Sequence, residues 1–555
     1  MFKLESQKGV IKLKVTEQVA ESFYKGLVLA ALSYWLLFSL VSPVTLWDSN
    51  VYNIARLELH LRGGLFHNPY YNDPREAYMT WTFDALHLPF RILGFAESLP
   101  SFACFTGILF ITFAYSAKVY NRTIAWASCA ALLSMPCLMY QASSTKPDIA
   151  VAFCCAVWFY VLFLYQENKQ SKYIYLVSLS LAFAAGAKAT GLLIAPILGL
   201  VALYVIRKDK GAIARLIVSS VLCFILWGSI EIYINNIRTF GHIFAPTGND
   251  ARNYDGLKGA LATSIRHLFS NTTLGVESFI NSNSDLIGMW QSLCRSVLSL
   301  MSLSNKGMQL SPYITLDDNS MKFLKTGSET CSDFGPIGSA SLWASLVLLI
   351  VGVNKRRRLW YFSLFGIGYI FLFSYFIGWG LWGNRYLVVS LIPLSLVLVV
   401  IVETSNYTWA KVLFRITILA SIILVPLASY NKGPRDLLAA IQDRQNFQLK
   451  ENQILIPIVK GIDELALKDK NCTIALCAGE DAWILPFFEI KGINLIPTPI
   501  ASLSLDALKT TKVKYILFLQ LEPPSLFQNK GALLAKYQGG GGFWGRSSYI
   551  YQIAP

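Results

Sequence analysis

The sequence predicts a polytopic α-helical membrane protein of about 11 transmembrane helices, followed by a small extracytoplasmic α/β domain. Three observations lead there. Of its 555 residues, 54% are hydrophobic and only 15% charged, with a mean hydropathy of +0.46; an ordinary soluble chain is about a quarter charged. Several windows run past about 18 residues almost without charge, the length that lets a helix cross hydrocarbon with its backbone groups bonded internally. Basic residues, finally, collect in short loops: Lys3, Lys8, Lys12, Lys14 and Lys25 before the first apolar run, Arg207, Lys208, Lys210 and Arg215 in one loop, and Lys355 to Arg358 in another. Cytoplasmic loops carry that bias.

The net charge of +15 does not point to nucleic acid, because the basic residues flank apolar runs instead of interleaving with aromatics on a soluble module. The first run, Gly26 to Leu46, is too long for a removable signal peptide and reads as an uncleaved anchor with the N-terminus in the cytoplasm. Further spans are expected at 101–117, 123–140, 149–165, 173–187, 190–206, up to Tyr233, 338–353, 359–377, 386–402 and 411–429. Spans five and six are separated by little more than Lys188 and Ala189, which demands a sharp turn. The transmembrane domain, 1–429, then includes two long outer loops, 47–98 and 235–335. Unspanned loops of that length are usually functional.

The tail, 430–555, changes character. Its runs CTIALCAG, INLIPT and VKYILFLQL are short, rich in Ile, Val, Leu and aromatics, and bounded by turn residues, as strands are. Helical candidates at Asp436–Gln448 and Gln453–Leu467 complete an α/β pattern. The glycine run Gly539–Gly542 lacks phosphate-binding context and reads as a turn. Six of the ten cysteines lie in or beside apolar runs as small core hydrophobes, while Cys294 with Cys331, and Cys472 with Cys477, are candidate disulfides in an oxidising compartment.

The chemistry is expected where polar residues meet span ends on the outer face. In WDSNVYNIARLELHLRGG (Trp47 to Gly64), Val51, Ile54, Leu57 and Leu61 recur at helical spacing, predicting an amphipathic helix along the membrane interface. Asp48 stands at its start, either as N-cap or as catalytic base. Tyr52 and Arg56 follow at one-turn intervals, so the three share a face, and Arg56 faces either a donor phosphate or a lipid headgroup. Asp84, His87, Asp148, Lys188, Arg238, Asn384 and Arg385 are expected at the same depth. Ionisable groups are costly in hydrocarbon, so they suggest one partly buried pocket. Two carboxylates with several cations suit a lipid-linked phosphate substrate: the departing charge is held by Lys and Arg, and one carboxylate suffices as base toward an acceptor hydroxyl. The acidic pair Asp317 and Asp318 has no third spaced ligand and reads as solvated. Neither metal nor cofactor is expected.

At these residues the chain resembles the GT-C glycosyltransferases, the group that contains lipid A aminoarabinose transferases and protein O-mannosyltransferases. WDSNVYNIARLE is similar to their first outer loop and FDALHLPFRILGFAESLPSF to the stretch before span two. KPDIAVAF, GAKATGLLIAP, RTFGHIFAPTGN and WGNRYLVVSLIPL resemble, in order, the loop Asp entering span four, the Lys-bearing turn into span six, a stretch after span seven and the Arg-Tyr entry to a late span. The likeness covers about residues 20 to 400, and its specificity lies in the order of short motifs. It implies Asp48 as base, Asp148 as a second active-site acid, and Lys188 and Arg385 at the donor phosphate, with Tyr386 beside Arg385. Tyr52, by its spacing from Asp48, and Asp84 and His87, by their place at the outer face, are expected to line the pocket; the proline pair common in relatives before span two is replaced around Asp84 to Pro89, which leaves the roles of Asp84 and His87 open. Ser49 stands where many relatives carry Glu, which argues against a paired acidic role there.

The activity so implied is inverting transfer of a sugar from a polyprenyl-phosphate donor to a lipid, glycan or protein acceptor, on the extracytoplasmic face of a bacterial inner membrane. The alternatives are a transporter or flippase of lipid-linked glycans, and an oligosaccharide polymerase or ligase. Charges at span ends instead of midplane, together with large outer loops, favour the transferase over a transporter.

Overall fold

The computed structural model describes residues 2–45, 49–63, 78–243, 253–272, 285–304, 306, 309–311, 314–315, 332–352, 357–380, 383–429, 431–451, 455–469, 472–478, 482–485, 493–500, 503–504, 508, 513–519, 521–530, 532–537 and 547–553. Asp48, the Asp317–Asp318 pair, Cys331 and the Gly539–Gly542 run lie outside them. The chain forms two compact units, one of residues 1–39, 99–230 and 248–434, the other of residues 40–98, 231–247 and 435–555.

The first unit is a bundle of apolar helices, and the chain is a multi-pass membrane protein. Among the described residues eight helices are long and apolar enough to cross a membrane: Glu17–Val41, Leu99–Val119, Asp148–Asn168, Ala189–Ile206, Lys210–Trp227, Arg357–Phe376, Gly383–Glu403 and Thr408–Leu427. A bent pair, Arg122–Leu133 and Pro136–Ala142, would make nine. Met135 is extended before Pro136, and a proline both lacks the N–H and clashes with a continuing helix, so the run breaks there by 76°. The expected eleven is reached only by adding the shorter apolar helices Ser171–Ala187 and Gly335–Val351.

Local chemistry fixes the ends that matter. Asn121 and Asp209 cap their helices by accepting from the backbone N–H of Ile124 and Ala212. The turn into Ala189–Ile206 places Lys188 in an extended conformation between two helices, closed by Gly191 N–H donating to the Lys188 carbonyl at 2.8 Å. A Cβ on Gly191 would stand 1.9 Å from the Ala184 carbonyl oxygen, so only glycine allows the two helices so tight a junction.

The second unit is built on a five-stranded sheet. After a short antiparallel pair elsewhere in the chain, β1 (Gln309–Ser311) and β2 (Ile314–Thr315), the sheet strands are β3 (Thr473–Ala478), β4 (Asn494–Pro497), β5 (Tyr515–Leu519), β6 (Ala532–Tyr537) and β7 (Ser548–Gln552), in the order β4-β3-β5-β7-β6. β3 pairs in parallel with β4 and β5, while β7 is antiparallel to β5 and β6. Side chains alternate with period two. Ile474, Leu476, Leu517, Leu519 and Ile550 face one core, and Ala475, Cys477, Ile516, Phe518, Tyr549 and Tyr551 the other.

The first core contains Ile54, Ala55, Leu57 and Leu59 beside Ile458, Val459, Ile462 and Trp483. The segment after Asp48 is therefore part of the C-terminal α/β core. It begins as a π-helix, Ser49–Ile54, and continues as the α-helix Ala55–Gly63. Its polar residues Arg56, Glu58 and His60 are buried as well, so the expected interfacial helix is instead a helix enclosed by protein. The Cys472–Cys477 pairing is also overturned. Both thiols are free, and the two residues belong to opposite cores of the sheet, Cys472 just before β3 and Cys477 near its far end, far beyond the reach of a disulfide.

Candidate active site

In the first unit four residues singled out in the sequence converge. Asp148 opens the helix Asp148–Asn168, where the positive end of the helix dipole favours a carboxylate. Lys188 Nζ donates to Asp148 Oδ1 at 2.6 Å and stands 4.2 Å from the centroid of the Tyr386 ring. Arg385 approaches the same ring, its Cζ 5.0 Å from the centroid, and its Nη2 donates to the Tyr386 hydroxyl at 3.0 Å. Asp148 Oδ2 is buried and has no hydrogen-bond partner among the described residues. Burial pushes the Lys188 ammonium below the ordinary lysine range, and Asp148 offsets only part of that. Its charge is thus held at a cost that an incoming anion would relieve.

The turn that carries Arg385, Gly383–Leu387, enters the helix Val388–Glu403. Asn384 is buried, its Oδ1 3.2 Å from His267 Nδ1 and accepting from Asn271 Nδ2 at 2.8 Å. Tyr369 O–H donates to the Tyr386 carbonyl at 3.0 Å. His267 and Asn271 escaped the sequence reading, because a lone histidine near the end of an amphipathic run carries no signal of its own.

The second unit holds the other group. Asp84 is buried at the start of the short helix Asp84–His87, where Arg56 Nη2 donates to its Oδ2 and Asn53 Nδ2 to its Oδ1 at 3.0 Å. Arg56 also donates to the carbonyls of Met79 (2.8 Å) and Thr80 (3.3 Å). With 3% exposure it is an internal tie and faces no lipid headgroup. His87 Nδ1 lies 2.5 Å from the Glu97 carbonyl; burial lowers its pKa against the pull of Glu97 and Asp84, so the ring is neutral and donates from Nδ1.

A further buried network, absent from the sequence reading, links Glu58, Arg91, Glu97 and Arg444. Arg91 bonds both Glu58 and Glu97, donates to the Trp483 carbonyl at 2.9 Å, and Arg444 meets Glu97 at 2.7 Å. Burial raises the Glu97 carboxyl, but Arg444 and Arg91 outweigh it and hold the group below its usual range. Of the remaining candidates, Arg238 is exposed. Tyr52 lies in the π-helix with its side chain outside the described residues, as is all of Asp48.

The crystal structure of ArnT from Cupriavidus metallidurans in the apo state matches 97% of this chain and 98% of its own, at 11% identity and a TM-score of 0.50. The chain has an ArnT-like fold. ArnT from the same organism bound to undecaprenyl phosphate aligns over 95% of this chain and 97% of its own, at 11% identity and a TM-score of 0.46. No protein-family model and no curated protein matches the sequence. The expected fold class, a polytopic helical chain with a small C-terminal sheet region, is thus borne out as an ArnT-like fold. On that frame, Asp148, Lys188, Arg385 and Tyr386 come from three separate stretches of chain to one place.

Proposed function

We propose that the chain is an inverting glycosyltransferase that moves a sugar from a polyprenyl-phosphate donor to a lipid, glycan or protein acceptor. The observation that carries this reading is the convergence of Lys188 and Arg385 on the Tyr386 ring beside Asp148. Two cations preset where a phosphate oxygen gains charge lower the barrier without reorganising during the reaction. The ArnT-like fold supports the same class.

The reaction balances with one base. The acceptor oxygen bonds to the anomeric carbon from the face opposite the phosphate, and the acceptor proton passes to the Asp48 carboxylate. The bond from the anomeric carbon to the phosphate oxygen breaks, and its electron pair leaves with the phosphate, beside Lys188 and Arg385. No proton donor is needed at the leaving group, so the two-carboxylate scheme of glycosidases is unnecessary. Asp148 keeps Lys188 charged and oriented. By the loop charges, the N-terminus is cytoplasmic and residues 430–555 lie outside, in a bacterial inner membrane.

Replacing Asp48 by Asn tests the assignment. Transfer should fall on the order of 10²–10⁴-fold with membrane insertion and melting temperature unchanged, and mass spectrometry of lipid and glycan fractions identifies the sugar that goes missing. Undiminished turnover in an inserted Asp48→Asn protein would shift the reading to a transporter of lipid-linked glycans.

A further inference from the structure

Two cations on one aromatic ring repel each other, and a flexible arginine would relieve that repulsion by swinging away. The turn 383–387 is built against such movement. His267 is buried on the helix Gly256–Ser270, and its Nδ1 and Asn271 Nδ2 both meet Asn384 Oδ1, at 3.2 and 2.8 Å. Asn384 Nδ2 donates to the Ser332 carbonyl at 3.4 Å, and the Asn384 carbonyl accepts from Cys137 Sγ at 3.6 Å. The amide is thus oriented at both ends, and its oxygen requires the proton on His267 Nδ1.

Packing reinforces the bond. The His267 ring lies 5.0 Å from the Trp379 ring, and a Cβ on Gly383 would stand 2.6 Å from His267 Cε1. The imidazole rests directly on the backbone of the turn. One residue beyond Arg385, Tyr369 holds the Tyr386 carbonyl. Arg385 therefore sits between two anchored neighbours.

We infer that His267, Asn271 and Asn384 are positioning residues for Arg385, holding its guanidinium where the donor phosphate binds. This rests on the donor reading given above. None of the three need touch substrate; their effect passes through Arg385 alone.

The test is a double-mutant cycle on the full-length protein in detergent, with polyprenyl phosphate as the probe and Kd and apo melting temperature as readouts. Arg385→Ala should weaken binding about a hundredfold, and His267→Leu on the order of tenfold. His267→Asn, whose amide nitrogen reproduces the Nδ1 donor, should stay near wild type. In the Arg385→Ala background, His267→Leu should add nothing. If His267→Leu melts early, Asn271→Ala removes a donor to the same oxygen with little change in volume and completes the cycle. Additive penalties, or a silent His267→Leu beside a damaging Arg385→Ala, would overturn the inference and leave the donor reading standing. An unchanged Kd in Arg385→Ala would remove the donor reading, and this inference with it.

Discussion

The two units bury charge in different ways. In the second, each arginine of the ion-pair groups meets a buried carboxylate: Arg56 meets Asp84, Arg91 meets Glu58 and Glu97, and Arg444 meets Glu97. The first also holds a matched pair, Arg415 with Glu403, but at the candidate site two cations converge on a tyrosine ring beside one carboxylate. A network of matched pairs closes on itself and holds segments together. Cations gathered on a ring beside one carboxylate offer donors to an anion that comes and goes. Burial of charge alone therefore does not mark the candidate site; the balance of signs does.

The comparison breaks first at Arg91. Removing it takes a buried partner from Glu58 and leaves Glu97 with Arg444, and losing one partner of a buried pair costs about 3–5 kcal/mol. Arg91→Ala should lower the melting temperature sharply and yield protein exposed to proteolysis across residues 435–555. Unchanged melting would show that the network is not holding the unit together.

Lys188 should behave in the opposite sense. Lys188→Met removes a cation from the donor site and should cut turnover about a hundredfold, while also leaving Asp148 unpaired. Adding Asp148→Asn removes that uncompensated charge, so the Lys188→Met/Asp148→Asn protein should regain wild-type melting without regaining turnover. Recovery of both together would make the pair structural, like its counterparts in the second unit.

How far the sequence could be read follows from the range of each signal. Apolar windows are local, so the spans could be recognised, and Asp148, Lys188, Arg385 and Tyr386 were visible because ionisable groups at span ends are costly without a purpose. Long-range pairing leaves no such trace. Arg444 donates to the Val41 carbonyl across 403 positions, and no periodicity in 47–64 announces that Ile54 and Leu57 belong to a core with Ile462 and Leu517. A helix buried on one side by a sheet has the same apolar stripe as one lying in lipid, which is why the interfacial reading failed. Strand β6, ALLAKY, has no β-branched residue and leaves much of its surface open to solvent, so it lacks the strand signal that exposed β3 and β5.

Acid should separate the two buried groups of the second unit by their windows. Glu97 is held below the ordinary glutamate value of 4.5. Its contribution is present above that unfolded value and is lost as pH falls through the lower folded one. Hydrogen-exchange protection in residues 435–555 should therefore drop below about pH 4.5, and Glu97→Gln should flatten that drop. His87 is also depressed, from 6.5, because burial resists its protonation. Its contribution is present above pH 6.5 and declines on acidification, so His87→Gln should remove a decline that begins at that higher pH. A single transition unaffected by either substitution would contradict both assignments.

The smallest expected effect is the most discriminating for the first unit. Tyr386 offers Arg385 a hydroxyl and offers both cations a ring face. Tyr386→Phe removes one hydrogen bond to a charged group and keeps the face, so polyprenyl-phosphate binding should weaken only about two- to tenfold. Tyr386→Leu also removes the face, and with it a cation–π attraction of about 0.5–2 kcal/mol per cation, so its loss should exceed that of Tyr386→Phe by roughly another tenfold. If the two variants bind alike, the ring is mere packing, and the cations are held in place by Asp148 and the turn at Asn384 without it.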